Sequence, residues 1–170
     1  MKRHLFLIAN LLLGATAVHA AEVKPAGTID AKAAYARLKT LVGEWQTDSQ
    51  GKAHLSYELI AGGTSLVERE TAEQTPAMMT VYHLDGGRLL LTHYCMAGNQ
   101  PRMQALKFNP ETGDLEFRFL DATNLTSPNA GHMHNVRIRF VDNDHLESEW
   151  QFYENGQPKM TENVRYTRVR

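Results

Sequence analysis

Alternation of apolar and polar residues between closely spaced turn signals is the feature that most constrains the fold of this chain. Every second residue is apolar in 115–119, 136–140 and 55–59. Successive side chains of a β-strand point to opposite faces, so a period of two predicts strands with one buried and one wet face. Turn-forming residues such as Gly, Asn, Asp and Pro recur at intervals of about ten positions, which indicates antiparallel neighbours joined by short connections.

Counting the segments between turns predicts ten strands, at 44–49, 52–60, 64–73, 77–84, 88–96, 102–109, 114–121, 134–141, 145–153 and 159–169. Sequential hairpins close into an up-and-down barrel, because closure removes exposed strand edges. The fold class is therefore all-β: an antiparallel up-and-down barrel of about ten strands with one short N-terminal helix. Asp30 is the expected N-cap of that helix, and Gly43 ends it. Outer-membrane barrels share the period of two, but Arg and Glu on the polar faces and uniformly short loops favour an apolar interior.

The N-terminal segment has the pattern of a secretory signal peptide. A basic start is followed by an apolar run from Leu5 to Val18 and by Ala20 at the expected cleavage point. The run is too short for a comfortable membrane span. We therefore expect a signal peptide at 1–20, a flexible lead-in at 21–29, a single β-barrel domain at 30–170, and secretion to a bacterial periplasm.

Charge and cysteine content exclude several classes of protein. The chain has a net charge of −1 and no basic cluster, which argues against nucleic acid as a partner. Its single cysteine, Cys95, excludes an intramolecular disulfide. The signatures of common nucleotide-binding folds, hydrolases and metalloproteases are missing, so we lean against an enzyme without excluding one. The oligomeric state stays open.

Gly43-Glu44-Trp45, at the start of the first predicted strand, resembles the Gly-x-Trp pattern of the lipocalin and nitrobindin (calycin-like) superfamily. The resemblance implies structural roles for Gly43 and Trp45, with Trp45 plugging the closed end of the barrel. It also implies that an arginine of the last strand, Arg165 or Arg168, packs over the indole.

The same resemblance brings haem into consideration, because nitrobindin-like proteins bind haem through a histidine on a late strand. Residues 146–170 contain no histidine, so haem is not favoured. A second resemblance, to uncharacterised secreted bacterial proteins, rests on the residues at 92–95, 98–103 and 132–134. It brings no activity with it.

The width of a ten-stranded barrel leads to the first functional hypothesis. Side chains need not fill such a lumen, so we expect it to bind a small apolar or amphipathic ligand. The expected lining comprises Tyr57, Phe117, Phe119 and Trp150 together with adaptable methionines, among them Met78, Met79, Met96, Met103, Met133 and Met160. His93, Arg102 and His134 are expected to orient the ligand near the mouth, with 122–133 as a lid.

Two alternatives remain open at this stage. His132 and His134, two apart on a strand, point to the same side and form a pair suited to a divalent metal. The third ligand would be His83, His93 or Cys95. The other alternative is a structural or interaction module with a packed lumen. Which face of strand 88–96 turns inward is also undecided, because both of its faces are apolar.

Overall fold

The computed structural model describes residues 29–47, 53–73 and 75–170. The predicted signal peptide and all but the last residue of the predicted lead-in lie outside these ranges. Helix α1 spans Ala31–Lys39 and a 3₁₀ turn spans Ala61–Gly63. The ten strands are β1 (Gly43–Thr47), β2 (His54–Ile60), β3 (Ser65–Ala72), β4 (Thr75–Asp85), β5 (Arg88–Tyr94), β6 (Gln100–Asn109), β7 (Asp114–Thr123), β8 (His132–Phe140), β9 (His145–Glu154) and β10 (Gln157–Arg168).

The strands form a closed antiparallel barrel in which each pairs with its neighbours in the chain. Closure is made by β1 and β10, where Trp45 lies opposite Arg168 and Thr47 lies opposite Tyr166. The predicted fold class is confirmed, including the single short helix on the N-terminal side. Each predicted strand has its counterpart within a few residues, because the turn residues that separate them set where pairing ends.

Strand β5 shows which of its two apolar faces is internal. Leu89, Leu91 and His93 are buried. Leu91 pairs directly with Tyr82 of β4 and Met103 of β6, both fully buried. Residues opposite each other on antiparallel strands share a face, so the His93 side of β5 faces the interior.

Helix α1 covers one end of the barrel. The Asp30 carboxylate accepts a hydrogen bond of 3.0 Å from the Ala33 amide, which satisfies one of the free first-turn N–H groups. Its buried side chains, Tyr35 and Leu38 among them, join the same apolar core as the strands. This is the closed end.

Trp45 plugs the closed end, and Arg168 lies over it. The indole is 1% exposed, and its Nε1 donates to the Leu41 carbonyl at 2.8 Å. The Arg168 guanidinium carbon lies 4.2 Å from the centre of the Trp45 ring system. Gly43 has a φ of +123°, a backbone conformation that favours glycine, and a Cβ there would lie 3.2 Å from Arg168 Nη1 and press the guanidinium away from its position. Arg165, the other predicted cover, is exposed and pairs with Glu147.

The connection between β7 and β8 is shorter than the predicted 122–133. Strand β7 continues to Thr123 and β8 begins at His132, which leaves residues 124–131. Pairing of Gln100 with Thr123 extends the β6–β7 ladder, and a 2.7 Å hydrogen bond joins their side chains. In β8 the register shifts between Met133 and Asn135. Such a bulge re-aims the side chains beside it.

Candidate functional site

A cavity of about 740 Å³ lies within the end of the barrel opposite α1. Its volume falls in the range of small-molecule sites in proteins. The described residues that line it belong to strands and to the turns of that end: Thr47, Ala53, Glu70, Ala72, Thr75, Met78, Cys95, Met96, Ala97, Met133, Phe152, Lys159, Met160, Glu162 and Val164.

Most of the cavity wall is apolar and deformable. Four of the methionines expected from the sequence, Met78, Met96, Met133 and Met160, line it together with the ring of Phe152. Methionine side chains adapt to differently shaped partners because they are unbranched and polarizable. Met103, by contrast, is fully buried in the core. The wall therefore suits an apolar body without fixing its exact shape.

The charged side chains of the wall come from β3 and β10. Glu70 lies on β3, and Glu162 and Lys159 lie on β10. Lys159 Nζ is 3.7 Å from Glu154 Oε2 on the neighbouring strand. Thr47 of β1 also lines the cavity; it is 9% exposed, and its Oγ1 has no hydrogen-bond partner among the described residues. Since β1 and β2 separate β10 from β3 in the ring, these polar groups occupy one continuous arc.

Glu70 lies between the cavity and a buried polar cluster. It also lines a narrow void bordered by Tyr57, Glu68 and Tyr82. Burial raises the pKa of Glu70 to about 7, and the nearby carboxylates of Glu68 and Glu162 add to the effect. At neutral pH the Glu70 carboxyl is therefore close to half ionised.

Glu68 is the centre of the polar cluster beneath the cavity. Tyr82 Oη donates to Glu68 Oε2 at 2.8 Å. Burial raises the pKa of the Glu68 carboxyl, while hydrogen bonds from Tyr57, Tyr82 and Thr80 oppose that rise. The same burial and the nearby carboxylate raise the pKa of Tyr57 and of Tyr82 well above the usual value.

His93 is buried inside the barrel, in the packed half. Its Nδ1 lies 3.0 Å from Thr80 Oγ1, and its ring centre lies 4.8 Å from that of Trp150. Within the described part of the chain, Nε2 has no hydrogen-bond partner. Burial lowers the pKa of His93 to about 4, so the ring is neutral at physiological pH. His93 is not among the residues lining the cavity.

The aromatic residues predicted to line the lumen occupy two other places. Tyr57 and Phe117 are buried in the packed half, and Trp150 packs against that core. Phe119 stacks on the ring of His134, with centroids 4.8 Å apart, and contacts the tilted ring of His132 at 4.5 Å. The cavity lies above this packed layer, which explains why its wall contains four methionines and only one aromatic residue among those described, Phe152.

The remaining predicted ligand-binding residues lie on the outer face. Arg102 alternates with the buried Met103 and makes an ion pair with Asp121. His132 pairs with Tyr153, whose neighbour Phe152 points into the cavity. Because His134 contacts His132 and stacks on Tyr153, it shares that outer position. The structure does not bring Arg102 or His134 to the cavity.

The predicted metal ligands do not converge. His132 Nε2 and His134 Nδ1 lie 3.0 Å apart, but His93 is inside the barrel, Cys95 is at the cavity, and His83 contacts the Leu84 carbonyl toward the closed end. In 29–47, 53–73 and 75–170, no three His, Cys, Asp or Glu side chains are grouped as a metal site.

The connection 124–131 is fastened to neighbouring turns. Asn99 Nδ2 donates to the Gly131 carbonyl at 2.8 Å, and the Asn155 amide donates to the Asn129 carbonyl at 2.9 Å. A Cβ on Gly131 would lie 2.5 Å from Phe152 Cζ, so the Gly131 backbone packs directly against this ring of the cavity wall. Residues 124–131 are not among those lining the cavity, and a lid function for them stays a prediction.

Sequence reasoning did not select Thr47 or Glu70 for the cavity. In β3 the inward residues are Leu66, Glu68 and Glu70, and this face is no more apolar than its opposite. The pairing register of β3 with β2 is what identifies Glu70 as inward-facing. Glu70 pairs with Leu55, whose inward direction the alternation of β2 predicts. The sequence analysis does not single out Glu162 either.

Comparisons with known proteins agree with the fold. A crystal structure of a protein of unknown function from the DUF3598 family of Nostoc punctiforme matches with a TM-score of 0.53 and 14% sequence identity. The match covers 78% of this chain and 48% of that one, so the chain spans about half the length of the structure it matches. No family model and no curated protein matches the sequence. Among the described helices, none has the length and hydrophobicity needed to cross a membrane.

Proposed function

We propose that this protein is a secreted, lipocalin-like (calycin-like) barrel that binds a small apolar or amphipathic molecule. The observation that carries the proposal is the 740 Å³ cavity with its methionine-rich wall. The Gly43, Trp45 and Arg168 arrangement at the other end supports the calycin-like assignment, and the sequence pattern of 1–20 supports secretion.

The contrast between the two ends of the barrel supports binding rather than a purely structural role. The closed end is filled by Trp45, Phe117 and the helix side chains. The other end retains a cavity of ligand size. Burying an apolar surface against this wall yields about 25 cal/mol for each Å² removed from water, and part of this gain offsets the translational and rotational freedom that a ligand loses on binding.

Equilibrium binding of the uncharged probe N-phenyl-1-naphthylamine tests the proposal. Emission of the probe rises when it leaves water, so a saturable rise with one site per chain is expected. Ala72→Trp places an indole in the cavity, where Ala72 forms part of the wall. This substitution is expected to abolish saturable binding because the indole occupies the same volume.

Ala33→Trp is the matched control. Ala33 is exposed on α1, at the closed end, so the same substitution there leaves the cavity unchanged. Binding by Ala33→Trp equal to that of the unsubstituted protein, with loss in Ala72→Trp, would support the cavity as the site. Equal binding by all three proteins, or no binding by any, would contradict the proposal.

A further inference from the structure

We propose that the cavity selects organic cations: molecules with an apolar body and a protonated amine that meets the carboxylates of Glu70 and Glu162. This inference rests on the proposed function and names the ligand class of the same cavity. It follows from the charged groups of the wall, two carboxylates and one lysine ammonium, which lie on β3 and β10.

Neither cavity carboxylate has a cationic partner within the described residues. Every influence on Glu70 is either burial or another carboxylate, and each raises the pKa of its carboxyl. Glu162 lies on β10, opposite Trp150 of β9. It makes no ion pair or hydrogen bond in the described ranges. Lys159, the basic residue of the wall, lies beside Glu154, a carboxylate that is not among the lining residues. Among the described residues, the two acids therefore border the cavity without an ion-pair partner.

An unpartnered hydroxyl lies in the same arc. Thr47 lines the cavity, is more than nine-tenths buried, and has an Oγ1 without a described hydrogen-bond partner. A buried polar atom without a partner is costly and rare. A protonated amine has several N–H groups, so it is able to donate to carboxylates and to a hydroxyl together.

The rest of the wall accommodates the body of such a ligand. Phe152, Met78 and Met133 lie on strands outside the polar arc. An aromatic face attracts cations and packs against hydrocarbon, and thioether groups adapt to varied apolar shapes. An anionic ligand of the same size would instead meet Glu70 and Glu162 with like charge.

The test compares three ligands that share one apolar body and differ in the head group: decylammonium, decanol and decanoate. The affinity of each ligand is measured by its displacement of N-phenyl-1-naphthylamine from the unsubstituted protein. The assay is run at pH 8, where Glu70, with a pKa of about 7, is mostly ionised. Decylammonium is expected to bind about tenfold tighter than decanol, the effect of one charge-assisted hydrogen bond in a partly buried site. Decanoate is expected to bind more weakly than decanol.

Glu70→Gln and Glu162→Gln locate the effect. Each is expected to reduce the preference for decylammonium over decanol, and the double variant is expected to abolish it, with the preference taken as the ratio of the two affinities in each protein. Glu111→Gln, which removes an exposed carboxylate from the β6–β7 turn at the closed end, is the control and is expected to keep the preference.

The outcomes separate this inference from the proposed function. If decanol and decylammonium bind equally, or decanoate binds best, charge selection is wrong while the cavity remains a binding site. A preference that persists in the double variant also overturns it. If none of the three ligands displaces the probe, the proposed function fails and the inference fails with it. The ligand series on the unsubstituted protein needs no variant to fold.

Discussion

Removing the Arg168 side chain is expected to destabilise the closed end of the barrel. Its guanidinium lies over Trp45 and donates to three backbone carbonyls: Nη1 to Val42 at 2.9 Å, Nη2 to Thr40 at 2.8 Å and Nε to Asn143 at 3.0 Å. These bonds tie β10 to the end of α1 and to the β8–β9 turn. Truncation therefore loosens several elements at once.

The magnitude follows from these contacts. A hydrogen bond from a charged donor contributes about 1.5–3 kcal/mol, and a cation over an indole contributes about 1 kcal/mol. The Arg168 side chain is 22% exposed, so water replaces part of what the carbonyls lose and the three bonds do not add fully. We expect Arg168→Ala to lower the free energy of unfolding by about 3 kcal/mol. Arg168→Lys retains the cation but loses the planar fork, and we expect a loss of about 1.5 kcal/mol.

Urea unfolding followed by tryptophan fluorescence measures both variants against Arg165→Ala. Arg165 lies three residues earlier on β10, is 82% exposed and makes a surface ion pair with Glu147, so its removal is expected to cost less than about 0.5 kcal/mol. Equal losses for Arg165→Ala and Arg168→Ala would refute the reasoning, since a general loss of positive charge would then explain both. A loss below about 1 kcal/mol for Arg168→Ala would refute the assigned contacts.

Three further predictions concern other parts of the barrel. Gly113→Ala is expected to cost about 3 kcal/mol, because its φ is +74° and a Cβ would lie 2.3 Å from the Phe140 carbonyl oxygen; Gly86→Ala, with φ +56° and open space around it, is expected to cost about 1 kcal/mol in the same urea assay. Because the pKa of His93 is lowered to about 4, its ring is expected to stay neutral in an NMR titration down to about pH 5, and titration near pH 6.5 would contradict its burial. The free energy of unfolding is expected to fall as pH drops from about 6.5 toward 4, and His93→Gln is expected to lessen this loss. Because burial raises the pKa of Glu70 to about 7, ionisation opposes folding as pH rises from about 4.5 to 7, so Glu70→Gln is expected to raise the melting temperature at pH 8 and leave it unchanged at pH 4.

The barrel was predictable from the sequence because its determinants are local. Alternation across 115–119 and 136–140, with turn residues between them, specifies strands and antiparallel neighbours. Structural roles for Gly43 and Trp45 were predicted from a family resemblance, and the structure places Gly43 at a φ of +123° and buries Trp45 in the core. The choice between Arg165 and Arg168 depended on strand register, which a single sequence leaves open.

The candidate site was only partly predictable, because a cavity depends on how side chains from distant strands fill space. Tyr57 and Phe117 were predicted to line a ligand site. They are instead buried in the hydrophobic core, in the packed half of the barrel, outside the cavity. Met133 and Met160 were indistinguishable in the sequence from the buried Met103. His134 follows Met133 at a bulge, and no feature of the local sequence predicts such a register shift.

The most direct test of the central claim is NMR of the protein labelled with ¹³C at its methionine methyl groups, titrated with N-phenyl-1-naphthylamine. If the cavity is a binding site, the methyl signals of Met78, Met133 and Met160 are expected to shift together and saturate with one ligand per chain. Met103, buried in the packed half, is expected to keep its position. Saturable shifts confined to the cavity methionines would support the account. Unchanged cavity signals, or a shift of Met103 as large as theirs, would contradict it.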